Sequence, residues 1–226
     1  MCELKHAFPG VQHAGKLLYG GDQSRSLSKN IRRCGCGVIA SMDLLIYLCR
    51  YHGCVVAPIH KLVRTDPIPL DEYDRCALQL SRRYLPLIPG HGINGLMLAL
   101  GINRVFSHYG MPYKARWGAY GEKFWLEIAR MLRGDFPVIL SIGPNFPFFW
   151  QHNTLPFYAK KADGVYTAVT KANAHYVSVT GLDENWLRIS SWGREYYISR
   201  SEYESYVKRH SLHLVSNILI VKPSKL

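Results

Sequence analysis

The longest apolar pattern in the chain begins just after Cys36. Val38, Ile39, Met42, Leu45, Ile46 and Cys49 recur at helical spacing, and Leu44 and Leu48 thicken the stripe until little polar surface remains. This predicts a helix buried on most sides that ends near Tyr51-His52-Gly53, where glycine can adopt a left-handed cap. Further helices are predicted over Asp71 to Tyr84, behind Pro67 and Pro69, and over Gly95 to Tyr109, which stops at Gly110 before Met111-Pro112. Another spans Glu122 to Leu132 and is halted by Arg133-Gly134-Asp135.

Beyond that point the period changes from helical to extended. Phe136 to Ile142 reads as a short buried strand, and Pro144 to Phe157 as an aromatic loop interrupted by prolines. His175 to Thr180 alternates, Asp183-Glu184-Asn185 makes a turn, and Trp186 to Ser191 is the returning strand. Two more β segments, Arg194 to Ser199 and Leu214 to Val221, flank a short helix at Arg200 to Lys208. Helices come first and an antiparallel sheet later, which argues for an α+β fold. No repeat, low-complexity tract or Pro/Gly/Ser-rich linker divides the chain. The expectation is one domain over 1–226: a lead at 1–29, a mainly helical part at 30–135 and a mainly sheet part at 136–226.

Composition narrows the class. With 226 residues, 48% of them hydrophobic and 12% aromatic, the chain can bury a substantial core. MCELKHAFPG lacks the basic-then-apolar pattern of a secretory signal, and no stretch approaches the roughly 18 apolar residues of a membrane span, so a soluble, cytoplasmic protein is expected. The six cysteines fall in the first third of a chain large enough to need no disulfide staples, so reduced thiols are the default. The net charge is +12, but Lys and Arg are scattered in pairs rather than gathered in a block. A solvated basic surface is the expectation rather than nucleic-acid binding, and it would favour an acidic peptide among possible substrates.

The chemistry concentrates in Asn30 to Met42, NIRRCGCGVIASM. Cys36 stands at the start of the buried helix, where unpaired amides and the helix dipole favour a thiolate, and Gly35 and Gly37 leave its sulfur room. Cys34 could trap an oxidised Cys36, although one intervening residue strains such a ring. Zinc held by Cys34, Cys36, Cys49 and Cys54 with His52 or His60 fits poorly, because no Cys-x2-Cys pair exists. His175, at the head of a strand, is the candidate base; nine other histidines compete, of which His152 in the aromatic loop is the one worth testing. Trp150 in the same loop could flank a substrate, and aromatic packing over the sheet is the blander account of that loop.

These motifs carry a resemblance. CGVIASMDLLIYL resembles the Cys-Gly-x-x-(Ala/Cys)-x-Met helix opening of papain-like bacterial cysteine peptidases of the bacteriocin leader-processing, double-glycine type. AHYVSVTGLDENWLRISSWG is similar to their His-strand, turn, strand block, and FWLEIARMLRGDFPVILS to the helix that approaches the sheet. The resemblance implies a papain-like fold, an N-terminal buried helix and helical region packed on a C-terminal antiparallel sheet, that cleaves a peptide or amide bond without a metal or cofactor. It implies Cys36 as nucleophile, His175 as base, Asn30 where the family has an oxyanion-hole Gln, and Ser190 where it has the Asn or Asp that orients the imidazole. If the hairpin loop is odd, Ser191 replaces Ser190. Trp192 would shield the histidine's hydrogen bond. A serine orients without stabilising an imidazolium, so a catalytically silent papain-like binding module is the alternative.

Overall fold

A computed structural model of the chain describes residues 1–148 and 150–224; Phe149 of the aromatic loop lies outside them. Three short strands open it, β1 (Cys2–Glu3), β2 (Gly10–His13) and β3 (Lys16–Tyr19). Helices α1 (Lys29–Cys34), α2 (Cys36–Tyr51) and α3 (Ala57–Val63) follow, then β4 (Ile68–Pro69), α4 (Leu70–Arg83) and α5 (Gly95–His108). The chain continues through β5 (Tyr113–Trp117), α6 (Lys123–Arg133), β6 (Val138–Ile142), β7 (Leu155–Lys160) and β8 (Tyr166–Ala172). It ends with β9 (His175–Leu182), β10 (Trp186–Ser191), β11 (Arg194–Ser199), α7 (Arg200–His210) and β12 (Ile218–Pro223).

The architecture is mixed helix and antiparallel sheet. Among the described residues, nine strands pair antiparallel in the order β5-β12-β6-β9-β10-β11-β7-β8, with β1 alongside β9. The apolar run of β6 is buried on both faces because helices cover both. Ile139 joins a core with Met42, Leu45 and Leu98, while Val138, Leu140 and Ile142 join another with Phe124 and Ile128 of α6 and Tyr203 of α7. The continuous apolar surface of α2 has the predicted outcome: every residue from Gly37 to Cys49 is buried, and the helix packs on β9 and β6.

Within the lead, for which no element was predicted, β2 pairs with β3 and with β4 in a second, three-stranded sheet whose Val11 and Ile68 are fully buried. Such strands are too short to show alternation. Leu155–Phe157, assigned to the aromatic loop, belongs to the β7-β8 hairpin, which the sequence hides because β8 is exposed or half-buried as far as Ala172. The last strand begins at Ile218, leaving Leu214 exposed.

Candidate active site

Cys36 is the first residue of α2, and Gly35 precedes it for a steric reason: a Cβ there would lie 2.6 Å from the Ile31 backbone, so only glycine lets α1 turn directly into α2. Gly37 is constrained by side chains, since its Cβ would meet Ile93 at 2.9 Å and Tyr176 at 3.3 Å. Its lack of a side chain lets the first turn of α2 lie against the start of β9, where His175 sits beside Tyr176.

Cys36, His175, Ser190, Ser191, Trp192, Gln23 and Asp43 line one small cavity, with about 10 Å³ open to a water-sized sphere. That is roughly room for a single water. His175 is 7% exposed, and its Nε2 lies 2.8 Å from Ser191 Oγ. Trp192 stacks flat on the imidazole, with ring centroids 4.5 Å apart and planes 18° apart, and Phe157 lies behind both. Trp192 reaches this position with a left-handed φ of 48°, an uncommon conformation for a bulky residue.

The partner of His175 is thus Ser191 and not Ser190. A register shift between Arg188 and Ile189 in the β9-β10 ladder changes the parity of the residues beyond it, and neighbouring residues on a strand face opposite ways. Ser190 Oγ instead donates to the Tyr19 carbonyl at 2.7 Å. Asn30 is also displaced: it is exposed on α1, and its carbonyl accepts from Cys34 Sγ at 3.2 Å. A six-residue helix capped by Ser28 turns its side chain away from the cavity. Gln23, from the turn after β3, lines the cavity instead, with its side-chain Nε2 donating to the Arg32 carbonyl at 3.3 Å.

Electrostatics depart from the expected thiolate. Burial raises the Cys36 thiol above its ordinary value, outweighing the backbone amides of Tyr176, Gly37 and Cys36 that pull it down. Burial also lowers His175 to about 4. Both shifts favour a neutral thiol and a neutral imidazole in the free protein, because burial penalises either charge, at the 7% exposed His175 more than at the half-buried Cys36. Asp43 is 2% exposed and pushed up to about 7 by burial, against the hydrogen bonds from Tyr73 and Gly21 that lower it.

The other expected residues lie apart from the cavity lining. Cys34 is half-buried against the carbonyls of Asn30 and Ile88. Trp150 is 71% exposed with its ring edge on Phe148, and His152 is exposed. Sequence reasoning passed over Gln23 and Asp43. Gln23 is cut off from Cys36 by all of α1, and Asp43 interrupts an apolar stripe, the one signal that could have exposed it.

No family model matches this chain, and no curated protein matches it. Among solved structures, a candidate C39-like peptidase from Bacillus anthracis is similar at 11% identity, with 100% of each chain covered and a TM-score of 0.48, a likeness too low to speak for function. Among the described residues, no helix is long and apolar enough to cross a membrane.

Proposed function

We propose that this chain is a papain-like cysteine peptidase or amidase, with Cys36 as nucleophile and His175 as base. The observation that carries the reading is the oriented imidazole: Nε2 held by Ser191 and the ring covered by Trp192, in the cavity that also contains Cys36 at a helix N-terminus. With its proton on Nε2 and donated to Ser191, His175 has Nδ1 free to accept the thiol proton.

The neutral starting pair sets the order of events. Thiol proton transfer to His175 accompanies attack of sulfur on the carbonyl carbon, so charge appears only as the oxyanion forms. The Cys36 amide and the second N–H of Gln23 Nε2, whose other N–H donates to the Arg32 carbonyl, are the donors assigned to that oxygen. The tetrahedral intermediate collapses, the C–N bond breaks, and imidazolium returns its proton to the leaving amine. Water, deprotonated by His175, then attacks the thioester, releasing the acid and restoring the thiol. A peptide or protein is the substrate, and no metal or organic cofactor enters these steps.

A quenched fluorogenic peptide library, incubated with wild type, Cys36→Ala and His175→Ala, tests the reading. Cleavage lost in both variants, with an acyl adduct on Cys36 in wild type by mass spectrometry, is expected. Absence of Cys36-dependent turnover and of any adduct would overturn it in favour of a binding module.

A further inference from the structure

Gln23 arrives at the cavity on a segment that belongs to neither α2 nor the large sheet; its side chain is tied to the Arg32 carbonyl of α1, and its backbone needs a hold of its own. The segment runs from the end of β3 through Gly20 and Gly21 to the turn at Gln23–Arg25. On one side it meets Asp43, two turns along α2 from Cys36 on the same helix face. Gly21 N donates to both carboxylate oxygens, at 3.1 and 3.2 Å, and Tyr73 Oη donates to Oδ1 at 2.7 Å. On the other side it meets the turn after β10. Ser190 Oγ donates to the Tyr19 carbonyl, Gly193 N donates to the Gly21 carbonyl at 3.0 Å, and Tyr19 N donates to the Gly193 carbonyl at 2.9 Å.

Glycine is required at both contacts. A Cβ on Gly21 would lie 2.2 Å from Tyr73 Oη. Gly20 has φ +76°, and its Cβ would lie 2.5 Å from Ser190 Oγ and 2.7 Å from Asp43 Oδ2. The fit is therefore close on both sides, and the residues that clasp the segment flank the residues that surround His175. A carboxylate recruited only to fill a core would have no reason to face the cavity, and burying one is costly unless it is well paired. Each of its hydrogen bonds either contacts this segment or orients the carboxylate towards it.

We propose that Asp43 is the positioning residue of the site: through Gly21 N it holds the segment carrying Gln23, and through the Gly21 carbonyl, which accepts from Gly193 N, it braces the turn at Trp192 that follows Ser191. The assignment of a catalytic consequence rests on the proposed role of Gln23; the clasp itself does not.

The test uses the full chain in wild type, Asp43→Ala, Asp43→Asn, Gln23→Ala and the Asp43→Ala/Gln23→Ala double variant. Amide hydrogen exchange reads the clasp, and affinity for an N-acetyl dipeptide aldehyde reads the oxyanion site. The thiol adds across the aldehyde C=O, forming a C–S bond and leaving the oxygen where a tetrahedral intermediate would place it. Asp43→Ala is expected to speed exchange over residues 19–25 by about tenfold or more while α5 and β12 stay protected. It is also expected to weaken the aldehyde by about tenfold or more, as Gln23→Ala does, with no further loss in the double variant. Asp43→Asn, which keeps an acceptor towards Gly21, restores most of both. If Asp43→Ala does not fold, Tyr73→Phe takes its place, with the same direction expected. Unchanged exchange over residues 19–25 in a folded variant, or multiplicative losses in the double variant, overturns the proposal. Faster exchange in Asp43→Ala beside a wild type that fails to bind the aldehyde keeps the clasp and removes the peptidase reading.

Discussion

At the scale of single residues, the site is governed by burial. Burial moves Cys36 and His175 in opposite directions, both towards neutrality. Alkylation of Cys36 by iodoacetamide in the free protein is therefore expected to rise with pH and to show no thiolate plateau below pH about 8.5, the value of an ordinary thiol. A plateau near neutrality would mean an ion pair that this cavity does not favour. Trp192 is the main cover over the imidazole, so Trp192→Ala should admit water and return the His175 pKa from about 4 towards 6.5, measured by NMR titration of the ring. The two serines separate role from structure. Ser191→Ala leaves the buried Nε2 without its partner and should cost about tenfold or more in turnover besides about 1–3 kcal/mol of stability. Ser190→Ala removes the donor to the Tyr19 carbonyl and should cost about 1–2 kcal/mol of stability.

At the scale of elements, the geometry of the proposed site depends on how closely α2 approaches β9. Gly37 sets that distance, because any side chain there meets Ile93 and Tyr176. Gly37→Ala is expected to cost about 1–3 kcal/mol by urea unfolding and to slow alkylation or acylation at Cys36, since the displaced helix carries the sulfur. The pattern of apolar residues made α2 legible, since a helix apolar all round has to be buried. The β7-β8 hairpin was not legible, since its second strand is exposed or half-buried as far as Ala172 and has no alternation to read. The β2-β3-β4 sheet escaped for another reason: β4 pairs with β2 across more than fifty residues of intervening chain, and that contact leaves no local trace.

At the scale of the whole molecule, two buried titratable groups near the cavity give opposing pH dependences. Between about 4 and 6.5 the folded chain holds fewer protons on His175 than the unfolded chain does, so stability from this group is lost as pH falls through that interval. Asp43 has the reverse sign. Between 3.8 and about 7 the folded chain holds more protons on it, so its contribution falls as pH rises. The effects amount to at most about 3 kcal/mol for His175 and about 4 kcal/mol for Asp43, and in wild type they largely cancel. Asp43→Asn should leave stability rising with pH over that range and His175→Gln should leave it falling, both read as denaturant midpoints at pH 4.5, 5.5 and 6.5. Parallel curves for all three proteins would show that neither group is as dry as the fold implies.

The sequence by itself determined the buried helix, the thiol at its start, the histidine at the head of a strand and the later antiparallel sheet. Each of these rests on local periodicity, a cap or a spacing that one stretch of chain contains. Only the tertiary structure decided which serine meets His175, because a single register shift between Arg188 and Ile189 reverses every face beyond it. It also decided that Gln23 rather than Asn30 reaches the cavity, since α1 carries Asn30 to the solvent while Asp43 and Gly193 draw the earlier segment inward. The charge state of the pair was likewise beyond the sequence: a helix N-terminus favours thiolate, burial opposes it, and the balance depends on neighbours brought together from distant parts of the chain.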